Sequence, residues 1–405
     1  MRVPLSWLRD FAPFDLDPLR LGEVFDDLGM VVEGIERIGE GLEGVVVARV
    51  LDVRAHPKAD RVRVADVDAG DGRSLQVVCG APNVAAGQLV ALAPVGTVLP
   101  GDFEIGRRQV RGEWSEGMIC SARELGLGPD AEGIMVLADD HTVGRPLVEA
   151  LGLGPDAVYD LAIEGNRPDA NCMAGVARDA AARLGLPFAI PAHPVTEVAP
   201  PAAELASIRV DSPDLAPRFT ARVITGVAVG PSPAPVARRL TLAGMRPINN
   251  VVDASNYVML ELGQPTHPYD LDRLPGRGLL VRRGQPGEVV VTLDDVERRV
   301  TVDDCLICDA TGAPVGIGGI MGGASSEIAD ATTTVLLEAA SFDAMSIARS
   351  SKRHNLRTEA SARFERGCDP EIIPAAGERF CSLLGAKEVP QGLLDVWPRP
   401  APAPP

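Results

Sequence analysis

The residues best suited to chemistry lie between positions 246 and 367. Arg246-Pro247-Ile248-Asn249-Asn250-Val251-Val252-Asp253-Ala254-Ser255-Asn256 opens a run that ends in Gly263-Gln264-Pro265-Thr266-His267-Pro268-Tyr269-Asp270. Its Asn, Asp, Gln and His residues are interleaved with apolar ones, a density typical of a pocket wall rather than a core element. His267, set among prolines, is by default a loop histidine. Farther on, Val335-Leu336-Leu337-Glu338-Ala339-Ala340 places one carboxylate after an apolar strand. A charge there is costly unless it faces a polar cavity. Between them, Gly316 to Gly323 form a glycine-dense turn. No Lys-Ser/Thr follows and the dinucleotide spacing fails at Met321, so close backbone approach to a ligand or a strand is expected, not a phosphate cradle. No Ser–His–Asp order and no nucleophile elbow is visible. Cys305-Leu306-Ile307-Cys308 has CxxC spacing without a second ligand pair, so packed thiols are expected rather than zinc.

Two segments gather positive charge. From Met345 to Gly367 there are six basic residues, Arg353 and Arg357 among them, against the acidic Glu359 and Glu365. That is a local excess suited to a polyanion, with a network of Arg–Glu pairs as the alternative. The second collects Arg54, Lys58, Arg61 and Arg63 with Arg107, Arg108 and Arg111, near Trp114. It suits a basic groove, although stacking aromatics are scarce and a merely solvated surface is the alternative.

These residues must be positioned by several domains, since 405 residues suggest two to four. With 56 acidic and 39 basic residues the net charge is −17, which argues against a general nucleic-acid coat protein. Seven thinly spread cysteines indicate a reducing cytosol rather than a disulfide framework. The opening residues show no apolar signal region and no stretch nears 18 apolar residues, so a cytoplasmic protein without a membrane span is expected. Asp17 and Pro18 start a helix whose stripe is Leu21, Val24, Phe25 and Leu28, and Gly29 ends it. Short strands at 45–53, 62–67, 74–79 and 89–95 suggest a small barrel. A helix over 170–184 is expected to be capped by Asp169 and stopped by Gly185. Residues 188–204, rich in Pro and Ala, read as a linker. A larger α/β region follows, and the last residues read as a polyproline tail.

Val110–Ala122, taken with His56–Arg61 and Cys79–Val84 in this order, resembles the tRNA-binding OB-type domain of several aminoacyl-tRNA synthetases. Asn166–Asp179 resembles a strand-to-helix passage in the phenylalanyl-tRNA synthetase β subunit, and Arg246–Asp270 its editing-domain signature. The likeness runs from Val3-Pro4-Leu5-Ser6-Trp7-Leu8 to about Val396, in the family's order. It implies an α+β multidomain chain. A small αβ domain (1–39 and 150–190) holds an inserted OB-type barrel (40–148), and a mixed α/β editing-type domain follows (205–396), then a Pro-rich tail (397–405).

The resemblance further implies the N-terminal half of a bacterial-type β subunit, with hydrolytic editing of Tyr mischarged on tRNA-Phe. His267, Asn256 and Glu338 would be its catalytic residues. Arg246, Ser255, Pro265, Gly319 and Ala360 would contact substrate, Glu338 accepting a hydrogen bond from the tyrosine hydroxyl. Lys58, Arg61, Arg107, Arg108, Arg353 and Arg357 would contact tRNA. Water positioned by His267, Asn256 and backbone amides, helped by the substrate's ribose hydroxyl, is expected rather than a covalent intermediate. No metal or cofactor is expected in this chain, since the family's ATP and magnesium sites lie in the α subunit and the absent half. The implied partners are tRNA-Phe and, if the missing half is supplied, the α subunit. The alternative is a non-catalytic remnant that binds tRNA or a partner.

Overall fold

Residues 1–39, 41–42, 44–127, 130–152 and 156–398 are described by a computed structural model. The tail expected at 397–405 lies outside the described residues from 399 onward. The chain forms two compact units, Met1–Gly34 with Tyr159–Pro405, and Ile35–Val158.

In the unit over 35–158, long antiparallel strands Val46–His56 and Ala59–Asp68 are flanked by Leu89–Pro94 and Ser74–Cys79. Gly117–Ile119 and Val136–Leu137 both pair with Leu89–Pro94. Alternation decides the packing: Leu89, Ala91 and Ala93 join one apolar cluster, Val90 and Leu92 another. Strand residues alternate faces, so this strand is buried on both sides. The expected OB-type barrel is not seen as a closed one among the described residues, where the ladder is a six-stranded sheet. Gly117–Ile119 is only three residues long and pairs through one edge with Leu92–Pro94. Toward Ser74–Cys79 there remain Glu116 N–H to Gln76 O (2.8 Å) and Val78 N–H to Ser115 Oγ (3.0 Å).

The other unit opens with a sheet ordered Arg2–Pro4, Asp156–Ala162, Val31–Ile38. Helix Pro18–Asp27 is capped as expected, Asp17 accepting from Leu19 N–H at 2.9 Å. Helix Met173–Leu184 is capped differently. Cys172 Sγ accepts from Gly175 N–H at 3.3 Å, while the expected cap Asp169 pairs with Arg167 and Arg178. A 3-10 turn over Pro168–Ala170 moves the helix start past Asp169. The linker reading of 188–204 also needs correcting. Thr196–Pro201 pairs in parallel with Glu388–Gln391, which supplies the backbone partners that a free linker would take from water.

Two sheets carry the rest. One is ordered Thr266–Asp270, Thr334–Ser341, Arg218–Thr225, Leu394–Val396. The other is ordered Ser207–Val210, Gly278–Arg283, Cys305–Asp309, Pro314–Ile317, Met321–Gly322. Phe219, Tyr269, Leu336 and Ala340 of the first share a core with Val281, Leu306, Cys308 and Val315 of the second. Val335 and Leu337 point to the opposite face, against helices Asn250–Leu262 and Ile373–Leu383 through Val251, Val258, Ala376 and Phe380. Glu338, in phase with Leu336 and Ala340, therefore faces the layer between the sheets.

Candidate active site

The polar run at 246–270 folds as a capped helix, a glycine turn and a strand. Asn249 starts the helix by accepting from the N–H groups of Val251 and Val252, both at 3.0 Å. Gly263, at φ +77°, ends it in the left-handed conformation that favours glycine. The fully buried Gln264 donates to Pro265 O and Ala340 O, both at 2.9 Å, and so ties the turn to the strand of Glu338. Ser255 Oγ donates to Thr266 O at 2.5 Å and fixes the start of the next strand to the helix.

On that strand His267 lies directly opposite Glu338. Two residues on, Tyr269 shares their face, and its hydroxyl donates to Glu338 Oε2 at 2.7 Å. The His267 and Tyr269 rings meet edge-on, centroids 4.5 Å apart at 76°. The glycine turn forms the facing wall. A Cβ on Gly322 would fall 2.4 and 2.5 Å from Cε1 and Nε2 of His267, so only glycine admits the imidazole here. Gly319, at φ +69°, is crowded by Ile347, Phe342 and Phe364. Thr358 Oγ1 donates to Ile320 O at 2.9 Å, holding helix Glu359–Phe364 and its Ala360 against the turn.

Pro265, His267, Tyr269, Gly319, Glu338 and Ala360 thus line one cavity of about 70 Å³. Burial pushes the Glu338 carboxyl up to about 7, against the opposing pull of the Tyr269 hydrogen bond. Burial alone pushes His267 down to about 4. The Tyr269 phenol is raised by burial first and then by Glu338 beside it, so it remains a donor. Near neutral pH the cavity presents an uncharged imidazole opposite a carboxyl close to its titration midpoint.

Three expected pocket residues fall elsewhere. Ser255 lies behind the strand as its anchor. Asn256 is half-buried on the same helix and does not line the cavity either. Arg246 is exposed in the loop before the cap and lines nothing here. Conversely Tyr269, Gly322, Gln264 and Thr358 belong to the site and were not singled out. Period-two spacing from His267 was the signal that could have found Tyr269.

Of the cations, Arg353 and Arg357 are engaged within the fold. Arg353 Nη1 donates to Asp304 Oδ1 at 2.5 Å, and Arg357 meets Glu365 at 3.1 Å. Asp304 is fully buried, and Ser350 and Thr301 also donate to it. In the other unit, hairpin Arg108–Val110/Glu113–Ser115 turns through Arg111 and Gly112, both at positive φ. His56 Nδ1 accepts from Lys58 N–H at 3.1 Å, so its proton sits on Nε2, which donates to Val110 O at 3.0 Å. That bond draws the Lys58 turn to the Arg111 turn. Arg107 stacks over Trp114 at 4.7 Å and pairs with Glu116, while Arg108 lies over Phe103 at 5.7 Å. Both rings are more than two-fifths exposed, which adds Phe103 to the single aromatic the sequence suggested. Lys58 and Arg61 are exposed.

Among the described residues no three His, Cys, Asp or Glu side chains converge as a metal site. Burial raises Cys305 and pushes Cys308 up to about 12, keeping both as thiols. No described helix is long and apolar enough to cross a membrane.

Residues 215–386 match the "B3/4 domain" family and residues 45–146 the "Putative tRNA binding domain" family. The chain is 46% identical over 403 residues to the phenylalanine–tRNA ligase β subunit of Geobacter sulfurreducens, covering 99% of this chain and 50% of that one. It is 45% identical over 406 residues to the β subunit of Moorella thermoacetica, covering 98% and 50%. The chain spans about half the length of the curated relatives it matches.

Proposed function

The chain belongs to the phenylalanyl-tRNA synthetase β-subunit family, matching its N-terminal half, and from that premise we propose that it binds tRNA-Phe and hydrolyses tyrosine wrongly esterified to it. One observation carries this reading: His267 and Glu338 face each other in a single cavity inside the segment that matches the B3/4 family. A tyrosine side chain entering there meets a buried acceptor, whereas phenylalanine leaves it unpaired. Sites built around a substrate hydroxyl discriminate by up to ~10⁴–10⁵.

Hydrolysis then needs a water held near the ester carbonyl and donors for the developing oxyanion. His267 is neutral at pH 7, so one ring nitrogen is free to accept from that water. Backbone amides of the 316–323 turn, and the ribose hydroxyl beside the ester, complete the set. Among the described residues no serine or cysteine lines the cavity, and the Thr266 hydroxyl is engaged by Ser255, which favours direct attack by water over a covalent intermediate.

The 45–146 segment, read as an OB-type module, would hold tRNA through Lys58, Arg61, Arg107 and Arg108, with Trp114 and Phe103 as stacking surfaces. In the longer protein the α subunit would supply aminoacylation. The test is deacylation of Tyr-tRNA-Phe by the purified chain. His267→Ala and Glu338→Ala should each lower the rate by at least about tenfold, and unchanged rates would sink the proposal. Binding of tRNA without hydrolysis by the wild type would favour a non-catalytic binding role.

A further inference from the structure

Resting on that reading of the pocket, we propose that Tyr269 is the positioning residue behind substrate selection. By occupying Oε2 of Glu338, it turns Oε1 toward the cavity as the acceptor for a phenolic hydroxyl.

Glu338 projects into the layer between two sheets, where a free carboxylate is strongly disfavoured. Among the described residues its one hydrogen-bond donor is the Tyr269 hydroxyl, at 2.7 Å. That bond fixes the carboxyl plane, because one oxygen is held by a ring that cannot itself move. The ring is fully buried, packed edge-on against His267, and sits in register with Leu336 on the neighbouring strand. Oε1 has no partner among the described residues and belongs to a side chain that lines the cavity. The carboxyl therefore presents one satisfied oxygen and one open one.

The groups around it leave the role to Tyr269. His267 and Tyr269 come from strand Thr266–Asp270, and Cys305 with Cys308 from strand Cys305–Asp309, where burial keeps the thiols uncharged. Helix Glu359–Phe364 contributes Ala360 and Phe364, and the paired residue on Arg218–Thr225 is Ala221. Among the described residues none of these other than Tyr269 donates a hydrogen bond to Oε2. Without the phenol, Glu338 would stay protonated to higher pH and rotate freely, and both changes blur selection for a hydroxyl.

Tyr269→Phe removes one oxygen and leaves the ring. The probes are L-tyrosinamide and L-phenylalaninamide, which report pocket preference without any hydrolysis. Their binding is measured by calorimetry on the full chain, beside deacylation of Tyr-tRNA-Phe and Phe-tRNA-Phe. The variant should lose about tenfold of the wild-type preference for the tyrosine member, in line with a hydrogen bond to a charged group. The Glu338 carboxyl, followed by carbon-13 titration, should move to higher pH. Glu338→Ala should abolish the preference, and adding Tyr269→Phe to it should change nothing further, because the phenol acts through the carboxyl. A variant that keeps the wild-type preference, or an unchanged Glu338 titration, overturns the role of Tyr269. A wild-type chain with no preference between the probes overturns the underlying reading of the pocket instead.

Discussion

His267 and Glu338 are displaced from their ordinary protonation ranges in opposite directions by the same burial. Glu338 keeps its proton up to about 7 in the fold, from a starting value of 4.5. Between those limits the folded chain holds a proton the unfolded one lacks, so this group's contribution to stability falls as pH rises. His267 titrates near 4 instead of 6.5. Its unfolded form binds the extra proton, so its contribution rises with pH over that window. The two nearly cancel between pH 5 and 7. Glu338→Gln should therefore gain roughly 2 kcal/mol relative to wild type on going from pH 5 to 7, and His267→Gln should lose about as much. Denaturant unfolding at the two pH values measures both, and parallel wild-type and variant curves would contradict the burial argument. At the facing wall, Gly322→Ala puts a methyl group into the imidazole. It should cut Tyr-tRNA-Phe deacylation at least about tenfold, while circular dichroism shows the fold retained, at a cost of about 1–3 kcal/mol.

Two elements hold this geometry from behind. The helix Asn250–Leu262 carries Ser255, and its cap Asn249 satisfies two amides at once. Asn249→Ala should cost about 1 kcal/mol in thermal or chemical unfolding. The helix Ala344–His354 supplies Arg353, whose guanidinium neutralises the fully buried Asp304. Arg353→Ala leaves that buried carboxylate its Ser350, Thr301 and His354 contacts but removes the guanidinium paired with it, and should destabilise the chain by about 2 kcal/mol. Its effect on tRNA affinity should be small, since the charge is already spent on Asp304. A large fall in affinity with unchanged stability would return Arg353 to the RNA-facing set.

Across the whole molecule a net charge of −17 means that any tRNA contact must be local. The exposed cations of the 35–158 unit meet that condition, with Lys58 and Arg111 drawn together by His56. Lys58→Ala and Arg108→Ala should each weaken tRNA binding and flatten its log-affinity dependence on log salt by ~0.7–0.9 for each phosphate no longer neutralised. Filter binding at several salt concentrations checks this, and an unchanged slope removes that residue from the interface.

Much of this was legible in the sequence because local rules write themselves into residue types. Asp17-Pro18 announced a helix start, and the glycine run announced close backbone approach, which the crowding of His267 on Gly322 realises. The lone carboxylate in an apolar strand announced a cavity. What the sequence could not determine were pairings between distant segments. That Thr196–Pro201 is a strand depends on Glu388–Gln391, almost two hundred residues away. That Arg353 pairs with Asp304 depends on a strand end meeting a helix. Whether Asn256 or Tyr269 reaches the pocket depends on which helix face and strand face the tertiary packing turns inward. Composition marked 246–367 as the place where chemistry could occur. Register, set by the burial of one face of each strand, decided that its centre is His267, Tyr269 and Glu338.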